Sequence, residues 1–102
     1  MEVKVGSRLR SAICATEVIV VRSSGGDIDI RCGGRPLLAL DESGDPDGVP
    51  AAGFDGGSLM GKRYADETIG IEVLVTKAGS GSLSIGTAVL PLKEAKALPS
   101  SD

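Results

Sequence analysis

Two stretches of this chain match each other at a fixed spacing, and that limits the fold more than any other feature. Residues 16–30, TEVIVVRSSGGDIDI, align without a gap onto residues 71–85, IEVLVTKAGSGSLSI, at an offset of 55. Glu17/Glu72, Val18/Val73, Val20/Val75, Gly26/Gly81 and Ile30/Ile85 are identities, and Ile19/Leu74, Arg22/Lys77 and Ile28/Leu83 are conservative matches. Gly6 and Gly61 fall on the same offset. A repeated unit this small cannot bury its apolar face alone, so copies of it pack against each other. The pattern predicts an all-β protein, a tandem repeat of two small β-hairpin modules packed as a pseudo-two-fold pair.

The apolar residues are mainly Val, Ile, Leu and Ala, and the 15 glycines and 5 prolines supply many turns. That mixture favours short strands over helices. Met1, Val3 and Val5 alternate with Glu2 and Lys4, the period of a half-buried strand. Residues 17–22 read as the strongest strand of the first module. Ser23-Ser24-Gly25-Gly26 provides a tight turn, and residues 27–31 return with Ile28 and Ile30 inward. This is read as a hairpin. A short strand at 37–40 closes the first module, which spans 1–40. Residues 41–60 hold five acidic side chains and no basic one among Gly and Pro, and read as a mobile or functional connecting loop. The second module, 61–92, repeats the strand (72–77), the turn (78–81) and the return (82–85), and ends at 89–92. The tail, 93–102, is expected to add one helical turn before Pro99 stops it. A chain of 102 residues buries roughly two thirds of its unfolded surface, enough to fold without a metal or disulfide.

Charge and composition exclude several functions. A net charge of −3, with Phe54 and Tyr64 as the only aromatic residues, argues against nucleic-acid binding. No apolar run is long enough to span a bilayer. The segment MEVKVGSRLR has no signal-peptide hydrophobic stretch, so a cytoplasmic location with reduced cysteines is expected. Without histidine, the common catalytic triads and imidazole metal sites are unavailable. Ser43-x-Asp45-x-Asp47-Gly48 has the alternation of a calcium loop, but Phe54 stands where the closing glutamate belongs. It reads as a solvated turn.

The modules resemble desulforedoxin, the rubredoxin-like metal protein that also forms the N-terminal part of desulfoferrodoxins. Ser11-x-x-Cys14 sits at the position of that family's C-x-x-C-G knuckle, Val18 to Val21 on its valine-rich strand, Gly25-Gly26 at its turn and Arg31-Cys32-Gly33 at its C-C-G. In the second module Tyr64 matches the early aromatic and Asp66-x-x-Ile69-Gly70 the knuckle. Gly79-Ser80-Gly81 matches the turn, and Ile85-Gly86 the second cysteine pair. The resemblance implies a β fold in which the four-cysteine metal site is degenerate, because Ser11 and Arg31 occupy two ligand positions and the second module has no cysteine.

If the resemblance holds, Cys14 and Cys32 face each other at the former metal position. Three states are then open to them: buried reduced thiols, a disulfide, or a Zn or Fe site in which two chains pool four thiolates. The leading functional expectation is a non-catalytic accessory or binding protein, without cofactor, derived from a metal-binding β module that has lost its metal. Its ligand or partner surface is placed at Arg8, Arg10, Arg31, Arg35, Phe54, Tyr64 and Asp66. Residues 1–40 hold six basic and four acidic side chains, a bias suited to an anionic ligand or acidic partner. The partner is a protein or a small ligand, with homodimerisation left open. One alternative is a redox or metal protein acting through Cys14 and Cys32. Another is a small enzyme using Tyr64, Asp66 or Glu67.

Overall fold

The computed structural model describes residues 2–45 and 47–93. These form nine short strands: β1 (Arg8–Arg10), β2 (Glu17–Arg22), β3 (Ile30–Cys32), β4 (Arg35–Pro36), β5 (Leu38–Ala39), β6 (Arg63–Asp66), β7 (Ile71–Lys77), β8 (Leu83–Ile85) and β9 (Ala88–Val89). They build two antiparallel sheets, one ordered β5-β1-β2-β7-β6 and the other β4-β3-β8-β9. The fold is all-β, with no helix among the described residues. β-branched alternation makes the two long strands: Val18 and Val20 on β2, and Val73 and Val75 on β7, all point into the core. Leu9, Tyr64, Ile30, Cys32 and Leu83 join them, so both sheets feed a single apolar cluster.

The hydrogen-bond registers recur along the chain. Arg8↔Ile19, Leu9↔Val18 and Arg10↔Glu17 between β1 and β2 reappear 55 residues on as Arg63↔Leu74, Tyr64↔Val73 and Ala65↔Glu72 between β6 and β7. Where β2 meets β7, Ile19 pairs with Leu74, the residue 55 positions further on. Gly6 N donates to Val20 O at 2.7 Å, and Gly61 N to Val75 O at 2.8 Å. Both glycines have left-handed φ, 89° and 78°, which a residue with a Cβ seldom adopts.

Past the central turn the recurrence is 53. Arg31↔Pro36 in β3–β4 corresponds to Ser84↔Val89 in β8–β9. The connection from β2 to β3 covers residues 23–29 and that from β7 to β8 only 78–82, two residues fewer. The gap-free alignment is therefore corrected beyond the turn. The counterpart of Ile30 is Leu83, whereas Ile85 is the residue paired with Ile30 across the β3–β8 ladder.

Two further expectations are corrected. Residues 17–22 and 27–31 do not form a hairpin, because β2 and β3 lie in different sheets. The connection between them crosses from one sheet to the other, and inward alternation of Ile28 and Ile30 serves either arrangement. The tight hairpins are β3–β4 and β8–β9. Residues 2–5 form no strand. Glu2 makes one isolated bridge to Asp27, Val3 is fully buried and Val5 is 63% exposed, since the chain turns at Gly6. The described part of 41–60 is tied down by backbone hydrogen bonds: Asp45 N to Ala12 O, Ala51 N to Gly33 O, and Ser82 N to Phe54 O. Of the 93–102 tail, the helical turn lies outside the described residues.

Residues 91–93 run along the outer edge of β6 through Ala65 N to Pro91 O and Lys93 N to Arg63 O. Glu72 locks this edge. It is 4% exposed, with Oε1 2.7 Å from Lys93 Nζ and Oε2 3.4 Å from Arg63 Nη1. The hydrogen bond from Lys93 lowers its pKa below the ordinary 4.5. Burial opposes the shift, and the charges of Lys93 and Arg63 reinforce it. A depressed carboxylate pKa stabilises the fold above 4.5 and loses that contribution as pH falls below it. Glu72→Gln should cost about 1–2 kcal/mol at neutral pH, the two cations being partly solvated. It should also flatten the acid limb of stability measured by urea unfolding at several pH values.

Candidate functional site: a buried cysteine pair

The turn after β1 presents the first thiol. Ser11 N donates to Thr16 O, closing the turn, while Ser11 Oγ accepts from Ile13 N and Cys14 N at 3.1 Å each. A hydroxyl so placed satisfies two backbone donors that would otherwise be orphaned. The second thiol ends β3, where alternation turns Ile30 and Cys32 inward and Arg31 outward. Cys14 Sγ and Cys32 Sγ lie 3.7 Å apart. Cys14 Sγ is also 3.2 Å from Ser11 Oγ and 3.3 Å from Thr16 Oγ1, and Thr16 Oγ1 is 2.6 Å from Ser58 Oγ. Two thiols and three hydroxyls thus share a pocket in which no residue is more than 2% exposed.

The 78–82 connection roofs this pocket. A Cβ at Gly79 would stand 3.0 Å from Cys14 Sγ, and one at Gly81 would stand 2.9 Å from both Cys32 Sγ and Gly33 N. Only glycine lets the backbone come this close.

The two thiols differ electrostatically. For Cys14, burial favours the neutral form. Hydrogen bonding with the Ser11 and Thr16 side chains and with the Thr16 and Gly81 backbone outweighs it and brings the pKa down to about 7. For Cys32, burial and then the neighbouring Cys14 charge push the pKa up to about 12, despite Ser11 and Thr16. Cys14 is the more acidic thiol of the pair.

The matching place in the other half holds none of this chemistry. Asp66 repeats the Ser11 turn, its Oδ1 accepting from Thr68 N at 2.9 Å and Ile69 N at 3.1 Å. At the registers given above, Ile69 stands for Cys14, Ile71 for Thr16, Ile85 for Cys32, Val3 for Ser58 and Ile28 for Gly81. The correspondence extends to backbone contacts, with Val3 N to Gly26 O matching Ser58 N to Gly79 O. Val3, Ile28 and Ile71 are buried there, with Ile69 and Ile85 packed alongside. One half carries sulfur and hydroxyl groups where the other carries aliphatic carbon.

A tetrahedral Zn–thiolate site, with Zn–S near 2.3 Å, separates its sulfurs by about 3.8 Å. The cysteine pair keeps the spacing of one edge of such a site. The remaining corners do not fit: Ser11 and Thr16 offer neutral hydroxyls, and Arg31 turns away to Asp29 and Gly34 O. Among the described residues, no three His, Cys, Asp or Glu side chains gather around a common point. Both sulfurs lie under the roof, Cys14 2% and Cys32 0% exposed.

The other predicted residues are spread over both sheets and the segment between β5 and β6. Arg8 and Arg10 belong to the five-stranded sheet, whereas Arg31 and Arg35 belong to the other. Arg10 Nε is buried with no hydrogen-bond partner in the structure described. Phe54 is half-buried beside Gly34. Tyr64 is 9% exposed, and its hydroxyl accepts from Leu59 N. Asp66 is engaged in its own turn, and Glu67 is exposed on the groove between 66–68 and 91–93, which neither cysteine lines. Reasoning from sequence missed Thr16, Ser58, Gly79 and Gly81. Ser58 was hidden in a segment read as loop, and Gly81 looked like a repeat of Gly26 until the two-residue shortening placed it opposite Ile28. No family model, curated protein or solved structure matches the chain. No helix among the described residues is long and apolar enough to cross a membrane.

Gly81→Ala is expected to lower stability by about 1–3 kcal/mol through the clash with Cys32 and the Gly33 backbone. It should also speed labelling of the native thiols by an aromatic disulfide reagent, since the roof must lift. Urea unfolding and thiol kinetics on the same sample check both effects.

Proposed function

We propose that this protein is a non-catalytic accessory protein whose state is set by a Cys14–Cys32 dithiol–disulfide couple. The couple is built on a duplicated rubredoxin-like β framework that has lost its metal site. The observation that carries this reading is the asymmetry between the halves. Burying hydroxyls and thiols costs desolvation that aliphatic side chains avoid. The counterpart position is filled by Val3, Ile28, Ile69, Ile71 and Ile85, so aliphatic packing is available to this framework. A polar, sulfur-bearing filling at the other position is explained by the chemistry it permits.

Duplication is supported by the ladders and turn caps that recur at 55 and 53 residues. The rubredoxin-like origin is supported by Cys14, on the turn after β1, and Cys32, at the end of β3, meeting at the spacing of metal co-ligands. Electron transfer through iron does not carry over, because the thiolates for it are missing. What remains is sulfur redox chemistry. Closing a disulfide requires the sulfurs to approach by about 1.7 Å, within reach of side-chain rotation.

Equilibrating the native protein in dithiothreitol redox buffers should convert two free thiols to none in a single two-electron step, read by thiol alkylation and intact mass. The oxidised form should be more stable by about 3 kcal/mol, from cross-linking a short loop of the unfolded chain. Cys14→Ser and Cys32→Ser should each abolish the transition. Thiols that stay free in the folded protein across the whole range of buffers would rule out the couple.

A further inference from the structure

We propose that the oxidant of this pair is a small hydroperoxide, with Cys14 as the attacking sulfur and Cys32 as the resolving thiol. The inference rests on the dithiol reading above and adds the substrate class and the order of events.

Access decides the class of oxidant. Exchange with an external disulfide needs three sulfurs nearly in line, and the incoming pair brings bulky substituents on both sides. The roof leaves no such space: a single methyl group at Gly79 or Gly81 would already lie 3.0 or 2.9 Å from a sulfur. Hydrogen peroxide has two heavy atoms and is little larger than water. Of these oxidants it therefore needs the smallest opening of the glycine turn to reach Cys14 Sγ.

Position decides the order. Cys14 keeps 2% exposure, and its sulfur touches both the Ser11 and Thr16 hydroxyls. Cys32 is fully enclosed, and the sulfur of Cys14 is its hydrogen-bonding neighbour. The Ser11 and Thr16 hydroxyls accept from Cys14 Sγ, which leaves their own protons for the departing oxygen once Cys14 ionises, with Ser58 2.6 Å behind Thr16.

In the first step Cys14 gives its proton to solvent and its sulfur attacks the near oxygen of the peroxide. The S–O bond forms as the O–O bond breaks. The leaving hydroxide takes up a proton and departs as water, and Cys14 is left as a sulfenic acid. In the second step the Cys32 sulfur attacks Cys14 Sγ. The S–S bond forms, the S–O bond breaks, and the hydroxide leaves as a second water with the Cys32 proton. Two thiols and one peroxide become one disulfide and two waters: sulfur is oxidised and peroxide oxygen is reduced.

The test uses the wild-type protein and three oxidants at equal concentration: hydrogen peroxide, tert-butyl hydroperoxide and oxidised glutathione. Disulfide formation is followed by quenched alkylation and mass. Hydrogen peroxide should react at least about tenfold faster than oxidised glutathione, with the bulkier hydroperoxide between them. Cys32→Ser treated with hydrogen peroxide should carry a dimedone-trapped sulfenic acid on Cys14, and Cys14→Ser should leave Cys32 unmodified. The wild-type rate order stands as a test even if either variant fails to fold. Oxidised glutathione reacting as fast as peroxide, or a sulfenic acid on Cys32, overturns the inference while leaving the dithiol couple intact. If no oxidant closes the disulfide in the folded protein, the couple and the inference fall together.

Discussion

The pairing of β2 with β7 is the contact on which the rest of the structure depends. These are the two longest strands, and each supplies two fully inward valines to the core. At the middle of their ladder Ile19 faces Leu74, residues that hold the same place in β1–β2 and β6–β7. Neither strand could persist as an isolated two-stranded ribbon in water. Joined, they make the centre of a five-stranded sheet, and the smaller sheet is joined in the same manner through β3 and β8. Two seams, β2–β7 and β3–β8, therefore join the parts of the chain before and after the 41–60 segment. A disturbance of the β2–β7 seam would be felt in both sheets.

That seam also explains where the cysteine pocket sits. Each pocket-like position is walled by its own half and closed by the other. Cys14, Thr16 and Cys32 come from the first half, while Ser58, Gly79 and Gly81 come from the second. The aliphatic counterpart reverses the arrangement, with Val3, Gly26 and Ile28 closing over Ile69, Ile71 and Ile85. A change on one side of either position must be matched by a residue far away in sequence. Gly81 opposite two sulfurs, against Ile28 opposite isoleucines, is that matching.

The all-β class and the two main strands were legible because alternation in EVIVVR and IEVLVTK is a period-2 signal that a helix cannot imitate. Their partners were not legible. A strand that folds back and one that crosses to a second sheet show the same inward spacing, so Ile28 and Ile30 could not distinguish them. The identities Gly26/Gly81 and Ile30/Ile85 also masked the two-residue shortening, and a pairing across the β3–β8 ladder looked like an equivalence. For the site, two cysteines and the Ser11 turn were visible as motifs. Thr16 and Ser58 were not, since a hydroxyl carries no periodic signal. Its burial is decided by a contact spanning 42 residues.

The pocket also shows why sulfur spacing alone does not define a metal centre. A Cys14–Cys32 separation of 3.7 Å suits one edge of a thiolate tetrahedron, yet it equally suits two thiols in van der Waals contact. The other corners discriminate. A metal site needs charged or strongly donating ligands there, whereas Ser11 and Thr16 are neutral and already engaged with the backbone or with Ser58. Hydroxyls in these places make Cys14 the more acidic sulfur, against the burial under the glycine roof. Two thiols of unequal acidity, 3.7 Å apart, are an arrangement for forming a bond between them when an oxidant is supplied. The groups around the pair are thus neutral hydroxyls held by the backbone and by one another, which are weak donors to a metal ion.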